Sequence, residues 1–129
     1  MDVDAQPVDG GILYVVDAVL NFQPGHRRLA LAPDAPHIML LPKVLAQHGL
    51  QPKNALDVLS SGSADALPPL VFDLHSVVIG RTRETGFEVE AFQWGRTHKI
   101  DGLLGRAWIA RFREVELVRE RLKLRIHLR

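Results

Sequence analysis

The chain reads as an all-β domain with one short helix near its C-terminal end. Short apolar-alternating stretches recur with turn signals at roughly ten-residue spacing, the pattern of a barrel or sandwich. Near the C-terminus, Leu104, Trp108 and Phe112 fall at helical spacing, on one face of a short helix. At 129 residues, 47% hydrophobic and 24% charged, the chain has the size and composition of one globular domain. On local pattern alone, the segment around Trp108 would pass for an ordinary helix between two strands of an α+β domain.

Residues 1–10 are polar and are expected to be a loose end, with the domain running over 11–129. Gly11 to Phe22 alternates, with Leu13, Val15, Asp17, Val19 and Asn21 on one face and Ile12, Tyr14, Val16, Ala18, Leu20 and Phe22 on the other. Gln23-Pro24-Gly25-His26 is a turn, and Arg27 to Ala32 returns as the second arm of a hairpin. Two prolines bracket Pro33-Asp34-Ala35-Pro36-His37, which excludes regular structure there. Ile38 to Leu41 is a short buried strand. Pro42 opens a helical turn through Gln47, stopped by Gly49.

Ala55 to Leu59 and Leu67 to Ile79 are expected to form a long hairpin around the polar tip Ser60-Ser61-Gly62-Ser63-Ala64-Asp65. Gly80 to Arg83 is a tight turn, Phe87 to Phe92 a strand, and Gln93 to His98 a loop carrying Trp94. The stretch Asp101-Gly102-Leu103-Leu104-Gly105 leads into the short helix. A glycine directly after two buried leucines lets another backbone pass close by, since it has no Cβ. Glu114 to Leu117 and Leu122 to Leu128 alternate again and close the chain as two strands.

Several function classes find no support. The chain has no cysteine, which removes disulfides and thiolate metal sites. The six histidines (His26, His37, His48, His75, His98 and His127) show no ligand spacing and read as surface or capping residues. His37 is the one to watch, because it lies in the proline-bracketed loop. No metal or cofactor is expected. There is no serine-hydrolase elbow and no phosphate-binding loop. The start Met1-Asp2-Val3-Asp4 is not a signal peptide and no apolar run can span a bilayer, so a cytoplasmic location is expected. Charge is uneven: residues 1–95 carry 6 Lys/Arg against 11 Asp/Glu, and residues 96–129 carry 10 against 4. The basic end could contact nucleic acid or an acidic partner. Pairing with the acidic residues of the same fold or of a dimer mate is the favoured reading.

Asp-Gly-Leu-Leu-Gly, followed by a helix ending in Arg-Phe-Arg-Glu-Val and two strands, resembles the C-terminal end of retropepsin-like aspartic proteases. The order of pieces extends the resemblance over about residues 11–128. Pro42-Lys43-Val44-Leu45-Ala46-Gln47-His48-Gly49-Leu50 resembles the family's helical turn after the catalytic loop. Ser60 to Ala64 stands where its flap tip lies, and Val77-Val78-Ile79-Gly80-Arg81 resembles its strand-turn after the flap. The resemblance implies an acid-protease barrel lobe, a homodimer with its two-fold axis near residues 32–36, and an Asp101–Gly105 segment that supports the catalytic loop.

One motif departs from the family. Its catalytic loop reads Asp-Thr/Ser-Gly-Ala, one aspartate coming from each subunit. Aligning back from Leu40 and Pro42 puts Ala32 at the aspartate, Pro33 at the Thr/Ser, Asp34 at the glycine and Ala35 at the alanine. By this register the site is dead. Shifting by two makes Asp34 the catalytic residue, but deletes two residues and puts Pro36 at the glycine. The leading expectation is therefore an inactive homodimer that binds an extended peptide or serves as a dimerisation module. The alternatives are an active endopeptidase using Asp34, and nucleic-acid or acidic-partner binding through the basic end.

Overall fold

A computed structural model describes residues 1–55, 69–91 and 99–129. The expected flap tip at Ser60, Ser61, Gly62 and Ser63, residues 56–59 of the strand before it, and Trp94 lie outside the described residues.

The chain enters as β1 (Asp2–Asp4) and β2 (Gln6–Val8), and after a 3-10 turn continues as β3 (Leu13–Leu20). β4 (Arg27–Leu31), β5 (Ile38–Leu40) and α1 (Pro42–Gln47) follow. β6 (Val71–Ile79) and β7 (Thr82–Ala91) form a long hairpin. β8 (Gly102–Leu104), α2 (Arg106–Ile109), β9 (Glu114–Val118) and β10 (Lys123–His127) complete the fold. Seven strands make one sheet, in the order β2-β3-β4-β8-β5-β7-β6, and a further β3–β6 pairing closes six of them into a barrel. β1, β10 and β9 form a second sheet. The all-β expectation holds.

Period-two alternation decides which side of each strand is buried. In β3, Val16, Ala18 and Leu20 enter the barrel core with Leu29, Ile38, Leu40, Leu74, Ile79 and Val89. The opposite face carries Val15, which packs outside the barrel with Ala30, Ile100 and Leu103. Pro42 opens α1 with its fixed φ, and the helix buries Val44 and Leu45. Gly80 supplies the positive φ of 59° in the two-residue connection between β6 and β7, where Ile79 pairs with Thr82. The β7 strand starts at Thr82, five residues before the alternation at Phe87 suggested, because that turn lets pairing begin at once.

The expected loose N-terminus is instead ordered into two strands. Met1 donates its terminal ammonium to the Ile126 carbonyl at 2.9 Å, and Ile126 N–H returns to the Met1 carbonyl at 2.7 Å. Val3 lies against Gly80, Ala5 is buried, and Asp2 and Asp4 form ion pairs with Arg125 and Lys123. The Arg125 guanidinium, by its hydrogen bond, holds the Asp2 carboxyl below the usual carboxylate range. Two such contacts, with Arg111 on Glu84, place acidic partners from the first two thirds against the basic end.

The last strand also differs from expectation. Alternation alone would put Leu122, Leu124, Ile126 and Leu128 on one apolar face. Leu124 and Ile126 are already buried in this chain's own core. Leu122 leaves the strand in a left-handed conformation with φ 52°, and Leu128 lies past the strand end, so these two remain exposed.

Candidate functional site: the loop around the end of β8

Residues 32–37 wrap around the C-terminal end of β8. The chain leaves β4 at Leu31, which pairs in parallel with Leu104. It returns as β5, which pairs antiparallel to β8 through Met39↔Leu103 and Leu40↔Gly102. β8 is thus inserted between the two strands that the loop connects.

Glycines make this insertion possible. A Cβ on Gly105 would sit 2.1 Å from the His37 carbonyl oxygen and 2.6 Å from that of Ala35. A Cβ on Gly102 would meet the Met39 carbonyl oxygen at 2.2 Å. Both glycines are required for space, since neither has a positive φ. The sequence pointed to Gly105; Gly102 lies on the same segment, and its signal was only that of a glycine inside a strand.

Backbone hydrogen bonds then fix the loop. Ala32 N–H donates to the Leu104 carbonyl at 3.0 Å, and Ala35 N–H to the Ala32 carbonyl at 3.0 Å. The first N–H groups of α2 turn outward: Arg106 N–H donates to the Ala35 carbonyl at 2.7 Å and Ala107 N–H to the Pro36 carbonyl at 3.1 Å. These donors have no partner inside the helix, so the loop carbonyls satisfy them. Asp101 braces the base of the segment. Its Oδ2 accepts the Arg28 N–H at 2.8 Å, its own N–H donates to the Arg28 carbonyl at 2.7 Å, and its carbonyl accepts the Leu41 N–H at 3.0 Å. Trp108 is fully buried beneath, edge-on to Phe112 with ring centroids 4.7 Å apart.

The side chains on the loop offer little acid–base chemistry. Pro33, Asp34 and Pro36 are exposed, and Ala32 and Ala35 half-buried. Asp34 has no hydrogen-bond or ion-pair partner among the described residues. His37 Nε2 lies 3.6 Å from Glu90 Oε1 on the neighbouring β7, a partner the sequence did not suggest. No cluster of metal-ligating side chains occurs among the described residues, and no helix among them is long and apolar enough to cross a membrane.

Of the two readings, surface or capping, His48 takes the second: it is buried and caps the end of α1. Its Nε2 accepts from Arg27 Nε at 3.0 Å, and its Nδ1 faces Gln23 Oε1. Burial, and then the nearby Arg27 charge, push this imidazole below its usual pKa, opposed in part by Asp101. Its partners lie 21 and 25 residues away, beyond the reach of a spacing rule.

No protein-family model matches the chain, and no curated protein matches it in sequence. Solved structures do match. The crystal structure of a retropepsin-like aspartic protease from Rickettsia conorii superposes with a TM-score of 0.68, covering 99% of this chain and 89% of that one at 15% identity. This chain has the retropepsin-like fold. The retroviral protease-like domain of Ddi1 from Leishmania major is a second match, with a TM-score of 0.56 over 88% of this chain and 87% of that one at 10% identity. At such identities the likeness carries architecture, and the retropepsin-like loop must be read from its own residues.

Proposed function

We propose that this chain is a retropepsin-like domain without protease activity, which pairs with a second copy and either holds an extended peptide or acts through pairing alone. One observation carries the reading: Ala32 is the first residue beyond the Leu31–Leu104 pair, at the start of the tight turn closed by Ala35 N–H. That is the aspartate's position in the sequence register. Aspartic protease chemistry uses two carboxylates close enough to share a proton, one activating water while the other protonates the substrate carbonyl. A methyl group does neither. The following position is Pro33, which has no hydroxyl to brace one loop against the other.

Asp34 is the only carboxylate on the loop. It is exposed, and among the described residues none orients it for catalysis. A single lobe provides half a cleft, so a peptide site needs the second copy. A bound peptide would pair its backbone with strand edges. The chain's own core covers Leu124 and Ile126, so the pairing rests on the shared cleft and not on that face. Light scattering at micromolar concentration tests it. A mass twice the 14.4 kDa of the chain is expected, and a monomer mass refutes the pairing.

A further inference from the structure

At the far end of β4 from the loop, the turn after β3 holds a bulky residue in a conformation that disfavours it. Asn21 and Phe22 both have positive φ, 54° and 56°. Asparagine tolerates this region, but for phenylalanine it is an outlier. Its neighbours hold it there. Asn21 N–H donates to the Ser76 carbonyl at 3.0 Å, and Asn21 Oδ1 accepts from the N–H groups of His75 and Ser76 at 2.8 and 3.2 Å. Gln23 N–H closes the turn on the Leu20 carbonyl at 3.0 Å, and its side chain is held by His48. The strain gains no core burial in return, because Phe22 is 53% exposed. A residue that costs the fold and stays in water points to a use outside the fold.

Its surroundings say what kind of use. Phe22 lies at one wall of an open groove of about 670 Å³, lined also by Val19, Val78, Arg81, Thr82 and Arg83. Val19 and Val78 are cross-strand neighbours and form an apolar floor. The Arg83 guanidinium sits 5.9 Å above the Phe22 ring, and the His75 ring meets its edge at 6.4 Å. Arg81 and Arg83 are exposed and have no carboxylate partner among the described residues, and the groove lining contains no acid. This differs from the basic C-terminal strand, where Arg125 and Lys123 already carry acidic partners.

We propose that this groove docks an acidic peptide segment of a partner protein, with an apolar side chain of the segment against Phe22, Val19 and Val78 and its carboxylates on Arg81 and Arg83. Charge complementarity selects an anion, and the apolar floor selects one that carries an apolar side chain. Two guanidiniums are too few for the many phosphate contacts on which nucleic-acid affinity rests.

The test uses fluorescein-labelled hexapeptides with one Phe, Leu or Trp flanked by Asp and Glu, and the same peptides with Asn and Gln as controls. Anisotropy on the full chain should show binding of the acidic set only, with amide NMR shifts confined to Val19, Phe22, Val78 and residues 81–83. Arg81→Gln with Arg83→Gln should weaken binding roughly tenfold or more. Phe22→Gly should also weaken it while raising Tm by roughly 3–5 °C, because glycine relieves the strained turn. No binding by any peptide up to millimolar concentration overturns the proposal. So does binding unchanged in the double arginine variant, or an unchanged or lower Tm for Phe22→Gly. Stronger binding to phosphatidylserine vesicles or to an oligonucleotide than to any peptide would reassign the groove and equally overturn it.

Discussion

Gly105→Ala is the sharpest perturbation of the loop's support. The added Cβ would sit 2.1 Å from the His37 carbonyl oxygen and 2.6 Å from that of Ala35. Real contacts to a methyl carbon need more than 3 Å, and both obstacles are backbone, so no side-chain rotation relieves them. The loop must move by roughly 1 Å or more, since close-packed interiors do not absorb such overlap. Overpacking of this kind costs about 1–3 kcal/mol. Displacing the loop also loosens the bonds from Arg106 N–H to the Ala35 carbonyl and from Ala107 N–H to the Pro36 carbonyl. Two hydrogen bonds at about 0.5–1.5 kcal/mol each bring the expected loss to roughly 2–6 kcal/mol. That is a large fraction of the roughly 5–15 kcal/mol that holds a typical domain together. Urea unfolding followed by tryptophan fluorescence reads it as a lower midpoint at unchanged slope. A loss under about 1 kcal/mol would show that β8 and the loop are not packed as described.

Two further substitutions probe the packing and its pH dependence. Trp108→Ala empties a fully buried position against Phe112 and should cost about 3–5 kcal/mol in the same assay. The His48 imidazole is held below its usual pKa in the folded chain, so the unfolded chain takes up the proton first as pH falls. The contribution of His48 is therefore full above about pH 6.5 and declines below it. In urea titrations, the stability gap between wild type and His48→Gln should narrow between about pH 7 and 5; a constant gap would remove His48 as its source.

The parts of the fold that the sequence made legible are those with local causes. The β3–β4 hairpin announces itself through alternation and Pro24-Gly25, and α1 through Pro42 and Gly49. The Leu103-Leu104-Gly105 run carries the close approach in its own composition. Its insertion between β4 and β5 is a long-range pairing that no window of residues contains. The two N-terminal strands are three residues each, with polar positions alternating around Val3, and only their partners β10 and β3 reveal them. Phe22 continues the alternation of β3, so nothing local marks its left-handed backbone; the cause is the set of bonds that Asn21 and Gln23 make to β6 and His48. The proposed loss of the catalytic motif rests on a local reading, because Ala32 and Pro33 are chemically unlike the Asp and Thr/Ser expected at those positions in the proposed register.

The central claim is a retropepsin-like fold without its carboxylate dyad, and proteolysis tests it most directly. Wild type and Asp34→Asn are incubated with unfolded protein and peptide libraries from about pH 3 to 7, the range over which coupled carboxylates change state. Replacing Ala32, Pro33 and Asp34 by Asp, Thr and Gly provides the positive control for the scaffold. The expected result is no cleavage by wild type or Asp34→Asn at any pH, with weak, acid-favoured cleavage in the triple variant. Cleavage by wild type that disappears in Asp34→Asn would contradict the account and make Asp34 the catalytic residue of an active protease.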